Sequence, residues 1–118
     1  MNEWVTQRAV LCCLHRPRGT VDLRGATRQR FVRIDQMPVL VKDDPVGRII
    51  TGCTYSSPAG QYPCLHTILE DKGYSSFVRI ADRPVVLVTF QGRTDGATPE
   101  TTRFVVRHPG QRFVGERQ

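Results

Sequence analysis

The sequence predicts an all-β fold: a small domain of short strands and hairpins built from two related units, forming a compact wedge or a small barrel or sandwich. Three observations predict it. Eight prolines and ten glycines are spread over 118 residues, so the chain turns often. The strand-like word Phe-Val-Arg-Ile occurs twice, at 31–34 and at 77–80. No stretch of helical length carries an apolar stripe at helical spacing.

The repeat organises the chain. Phe31-Val32-Arg33-Ile34 is followed by Pro38-Val39, and Phe77-Val78-Arg79-Ile80 by Pro84-Val85. Cys13-Leu14-His15 recurs as Cys64-Leu65-His66, in each case ahead of the Phe-Val-Arg-Ile word. Two ordered words define units of roughly 8–52 and 60–106 within a single domain, 1–118. Arg103-Phe104-Val105-Val106-Arg107 is a weaker third echo.

Each unit reads as strand, turn, strand. Val32 and Ile34 fall on one face and Arg33 on the other, the period of a half-buried strand. Asp35-Gln36-Met37-Pro38 is the turn and Val39-Leu40-Val41 the return strand. Ala81-Asp82-Arg83-Pro84 and Val85–Val88 repeat the arrangement. Further strands are expected at Ala9–Leu14, Thr20–Leu23, Arg48–Thr51 and Arg103–Arg107, where β-branched and apolar residues alternate with glycine breaks. Leu65–Lys72 suits a short helix, residues 91–100 an exposed loop, and residues 115–118 a frayed tail.

Size and charge bound the function. A chain of 118 residues buries a useful but modest core. The longest apolar run, Ala9–Leu14, is too short to span a membrane. Glu3 and the lack of a basic leading segment argue against a secretory signal, so a cytoplasmic origin is expected. Net charge is +6, and 15 of the 17 basic residues are arginine. These arginines are scattered rather than gathered in one run, which suits a solvated surface more than a dedicated polyanion stripe.

The cysteines and histidines form the one constellation that carries chemistry. Zinc takes four nitrogen or sulfur donors in a tetrahedron. Cys13 and His15 are two apart and project from one face of a strand. Cys53 and Cys64 bracket a loop-like segment whose ends can meet at a metal. The candidate metal set is therefore Cys13, His15, Cys53 and Cys64, with His66 as the competing fourth ligand in place of Cys53. Cys12 points the other way on its strand and belongs to the core. The plain alternative is a set of buried thiols.

Cys–His neighbours on one strand face do not give the directed hydrogen bond a nucleophile pair needs, and no phosphate-binding glycine loop is present. A non-enzymatic protein is expected. Phe31 and Phe77 beside Arg33 and Arg79 also suit a small basic β-domain binding RNA or DNA by stacking and phosphate contacts.

Val32-Arg33-Ile34-Asp35-Gln36-Met37-Pro38-Val39, with Asp43-Asp44 following, resembles the V-x-I-x-G-x-P-V hairpin of PAAR proteins, and residues 78–85 resemble a second copy. Cys13-Leu14-His15, Gly52-Cys53 and Pro63-Cys64 resemble the C-P-H, G-C-P and P-C words of small PAAR-like proteins of phage tails and contractile injection systems. The resemblance spans about residues 9–106. Met37 and Arg83 stand where the pattern has glycine, Leu14 where it has proline, and no Pro-Ala-Ala-Arg word is present.

The resemblance implies a structural spike tip or adaptor capping a trimeric spike of the baseplate, pinned by one zinc ion and sometimes carrying an effector. His66 has no counterpart in that pattern, which favours Cys53 as ligand. Val39-Leu40-Val41 and Val85–Val88 are then expected as apolar faces docking on the spike.

Overall fold

The computed structural model describes residues 2–14, 18–25, 27–53, 63–96 and 102–116. These contain ten strands and no helix: β1 (Asn2–Glu3), β2 (Val10–Cys13), β3 (Thr20–Val21), β4 (Arg33–Ile34), β5 (Met37–Pro38), β6 (Ile50–Thr51), β7 (Thr67–Ile80), β8 (Arg83–Thr94), β9 (Arg103–His108) and β10 (Gly115–Glu116). Every pairing between them is antiparallel.

Six strands form one sheet in the order β6-β3-β2-β9-β8-β7. Its two edges meet. Ile49 bridges His66, Ile50 N donates to Leu65 O at 2.7 Å, and Thr67 N donates to Arg48 O at 2.9 Å. The sheet is thereby closed into a small barrel where the β6 edge meets the start of β7. Leu11, Val21, Ile50, Phe90 and Phe104 fill it, with Phe90 against Tyr74 and Phe104 at ring-centroid distances of 5.4 and 5.7 Å.

A ring of three chain segments packs against this barrel core. Residues 4–6, 39–41 and 85–87 bond head to tail: Leu40 N donates to Val5 O at 2.8 Å, Val86 N to Leu40 O at 3.0 Å, and Val5 N to Val86 O at 2.9 Å. The bridges Thr6↔Val39, Val41↔Val85 and Leu87↔Trp4 follow the same cycle. The register makes Val5, Leu40 and Val86 equivalent, and all of them pack into the barrel core. Their neighbours Val39, Val41, Val85 and Trp4 join a second apolar cluster with Ile34 and Ile80. Strand alternation lets one ring feed two cores.

Each ring segment continues the return strand of a hairpin. The pairs are Ile34↔Met37 with Arg33↔Pro38, Ile80↔Arg83 with Arg79↔Pro84, and Glu116↔Asn2 with Gly115↔Glu3. The first two hairpins turn through two left-handed residues, Asp35-Gln36 (φ 52° and 68°) and Ala81-Asp82 (φ 53° and 65°). Positive φ at both central positions is the type I′ turn, whose twist matches a two-residue hairpin. The third hairpin is closed by pairing the two ends of the chain. The molecule thus carries a pseudo-threefold end, and its extents of 45 × 24 × 23 Å give it near-equal cross-axes.

A buried polar side chain locks each corner. Gln29 Oε1 accepts from Phe31 N and Val32 N, while its Nε2 donates to Val32 O and Val39 O. Gln111 does the same with Phe113 N, Val114 N, Val114 O and Trp4 O. Ser75 Oγ accepts from Phe77 N and Val78 N, where the β7–β8 register shifts between Tyr74 and Arg79.

Several expectations change. Leu65–Lys72 is not a helix: from Thr67 onward it is β7, because pairing with β8 outweighs local helical spacing. Gln91–Thr94 belongs to β8, and residues 97–100 of the expected loop lie outside the described residues. Gly115–Glu116 is paired with β1 rather than frayed, and 117–118 lie outside the described residues. Arg103–Arg107 lies in β9 of the barrel, and the third corner is residues 111–116 with 2–6. Val39-Leu40-Val41 and Val85-Val86-Leu87 are fully buried ring residues, so they hold the fold together and present no docking face.

Gln29→Leu removes four hydrogen bonds, two accepted by Oε1 and two donated by Nε2, from a buried corner and is expected to lower stability by about 3 kcal/mol. Gln29→Ser keeps an acceptor for the two amides, as Ser75 does, and is expected to cost clearly less. Urea unfolding midpoints of the two variants check this order.

Candidate metal centre

The barrel end opposite the hairpin turns gathers three cysteines. Cys13 ends β2, opposite Phe104. Gly52 has φ 89°, a backbone region open to glycine, and there the chain leaves β6 with Cys53 directed into the core. Cys64 precedes β7, where Leu65 O and His66 are held against residues 49–50. The Cys13, Cys53 and Cys64 sulfurs all lie within 4.8 Å of one another and are buried. Sulfurs sharing a tetrahedral zinc stand about 3.8 Å apart, as bonds of about 2.3 Å require. Three buried cysteines this close can hold a metal ion.

Each sulfur has a polar partner. Gly19 N–H donates to Cys13 Sγ at 3.1 Å, and Cys64 N–H donates to Cys53 Sγ at 3.2 Å. Thr94 Oγ1 lies 3.1 Å from Cys64 Sγ and accepts Gly96 N–H at 3.1 Å. The Gly96 amide thereby holds the hydroxyl beside the sulfur. Donors aimed at sulfur stabilise thiolate over thiol, and they are the usual outer partners of metal-bound cysteine.

The setting works against bare thiolates. Burial pushes the Cys64 thiol up to about 12, against the Thr94 hydroxyl, and the neighbouring Cys13 and Cys53 add to the rise. A donor directed at the Cys64 sulfur, whose thiol burial favours, makes sense when a cation replaces its proton.

Two glycines permit this packing. A Cβ on Gly19 would sit 2.5 Å from Ile50 Cγ2 and 2.7 Å from Cys53 Cβ. One on Gly96 would sit 2.5 Å from Cys64 Sγ. In the sequence both glycines read only as breaks between strands, since close approach of one backbone to a distant side chain leaves no local mark.

The structure brings together Cys13, Cys53 and Cys64 of the expected set, while His15 lies outside the described residues. His66 is not in the group. Its Nδ1 lies 3.1 Å from Asp95 Oδ2, and its imidazole is half exposed. Burial alone would raise the Asp95 carboxyl, but the His66 and Leu65 amides and the His66 ring outweigh it and hold Asp95 below its ordinary value. Asp95 therefore pins the turn that carries Cys64. Cys12 is buried separately and pairs with Thr20 and Val105.

Comparison with known proteins gives no matching family model, no matching curated protein and no matching solved structure.

Titration of the reduced, metal-free protein with cobalt(II) is expected to give thiolate-to-metal charge-transfer absorption. Cys13→Ser, Cys53→Ser and Cys64→Ser should each remove or sharply weaken it. Cys12→Ser and His66→Ala should leave it in place. Gly96→Ala should weaken binding by displacing Cys64 Sγ.

Proposed function

We propose that this protein is a structural, non-enzymatic tip or adaptor of the PAAR-like kind, capping a trimeric spike in a phage-tail-like injection system and stabilised by one zinc ion. The observation that carries this reading is the closed pseudo-threefold ring with its three matched hairpins. A homotrimer presents one surface three times about an axis. A single chain meets all three copies alike only if it repeats its own contact surface about an axis, and this chain does so by turning two V-x-I-type hairpins and building the third from its ends.

The second support is mechanical. The three cysteines lie at the far end of the β7–β8 ribbon from its type I′ turn. A metal there ties β2 to the two chain segments that flank β6 and β7. Three sulfur ligands suit zinc, and the reading assigns the fourth position to His15, two residues beyond Cys13. A metal-pinned end opposite a threefold end gives a stiff, oriented cap. In this reading the chain is made in the cytoplasm and joins the particle at its baseplate spike.

Binding to RNA or DNA has one observation in its favour: Phe31 and Phe77 are exposed, with exposed Arg33 and Arg79 nearby. Those residues sit on separate hairpins around a ring rather than along one sheet face, so the trimer reading accounts for more of the arrangement.

Elemental analysis of the untagged protein is expected to give one zinc per chain, retained in His66→Ala and lost in His15→Ala with Cys53→Ser. Mixing with the trimeric spike protein encoded nearest to this chain should give a complex of one chain per trimer by native mass spectrometry. A metal-free protein that forms no such complex contradicts the proposal.

A further inference from the structure

Three phenylalanines occupy equivalent positions at the threefold end. Phe31, Phe77 and Phe113 precede the valines whose amides are gripped by Gln29, Ser75 and Gln111. Their exposures are 87%, 73% and 76%, the three highest among the exposed large hydrophobic residues of the described chain. Single exposed apolar residues are ordinary on a protein surface. Three aromatic rings at three symmetry-related positions are a repeated feature, and the two cores among the described residues close without them, with Val32, Val78 and Val114 turned inward at the same corners.

The corners are also preorganised. At each one the phenylalanine and valine amides are both held by the same side-chain oxygen, so the backbone presenting the ring is fixed before any partner arrives. Fixing an aromatic anchor in advance reduces the ordering cost of binding. Exposed Arg30 and Arg33 flank Phe31, Arg79 follows Phe77, and Arg112 precedes Phe113. A partner that receives these rings gains from carboxylates around each receiving pocket.

We infer that Phe31, Phe77 and Phe113 are the three anchors of a docking surface for the end of a homotrimer, each ring filling one of three identical apolar sockets rimmed by acidic residues. This rests on the tip reading and adds to it the residues that make the contact. The buried ring segments orient the anchors without touching the partner. One chain then binds one trimer, in any of three equivalent rotational settings.

The test titrates wild type, Phe31→Ser, Phe77→Ser and Phe113→Ser into the purified trimeric spike protein encoded nearest to this chain. Unfolding midpoints and metal content are measured alongside, and all should match wild type because the rings are exposed. The inference expects a complex of one chain per trimer, weakened about 30-fold or more by each substitution and by similar factors at the three positions. Wild type binding with all three variants unchanged would overturn the docking surface and leave the tip reading standing. A loss confined to one variant would overturn the threefold contact. Failure of wild type to bind would overturn both. Binding of a single-stranded RNA oligonucleotide that the three substitutions abolish, with no binding to the spike protein, would make this surface a nucleic-acid interface and overturn the inference.

Discussion

Three backbone hydrogen bonds, from Leu40 to Val5, from Val86 to Leu40 and from Val5 back to Val86, hold the ring on which both cores are built. These residues are fully buried, so a broken link leaves amide and carbonyl groups without water, at about 1–3 kcal/mol each. Because side chains alternate along the segments, Val5, Leu40 and Val86 serve the barrel core while Val39, Val41 and Val85 serve the hairpin core. Loss of one segment opens both cores at once. The N-terminal segment is thus as necessary as the two internal ones, although β1 itself has only two residues.

The ring and the cysteines solve different problems at two ends of one molecule. β8 runs from the ring at Val85–Leu87 to Thr94, whose hydroxyl touches Cys64. At the ring end the chain is held by strand pairing and apolar burial. At the other end Cys53 and Cys64 sit beyond β6 and ahead of β7, and the Cys64 amide bonded to Cys53 Sγ joins the two segments. Three sulfurs meeting there give a metal a place to add a further tie. In a small domain such a tie is worth on the order of 10 kcal/mol when zinc fills it.

The sequence revealed the all-β class and the two internal hairpins because Phe-Val-Arg-Ile carries strand periodicity and turn residues locally, and both copies kept them. It also brought Cys13, Cys53 and Cys64 into one candidate set, since the likeness of two Cys-x-His words and the spacing of Cys53 from Cys64 are visible in one dimension. The third corner was hidden for two physical reasons. Its return strand lies at the other end of the chain, and Glu116 and Trp4 replace the Ile and Val of the other corners. One signal was there to be found: Gln-Arg-Phe-Val occurs at both 29–32 and 111–114. The roles of Gly19 and Gly96 and the strand nature of Thr67–Lys72 depend on distant partners, so no local pattern records them.

The ring closure is tested most directly by amide hydrogen exchange at Val5, Leu40 and Val86, followed by NMR in the intact protein. Closure through the chain ends predicts that the three amides exchange at similarly slow rates and lose protection together as denaturant is raised. A Val5 amide exchanging as fast as a free terminus, with Leu40 and Val86 still protected, would contradict the pseudo-threefold end and the trimer reading that rests on it.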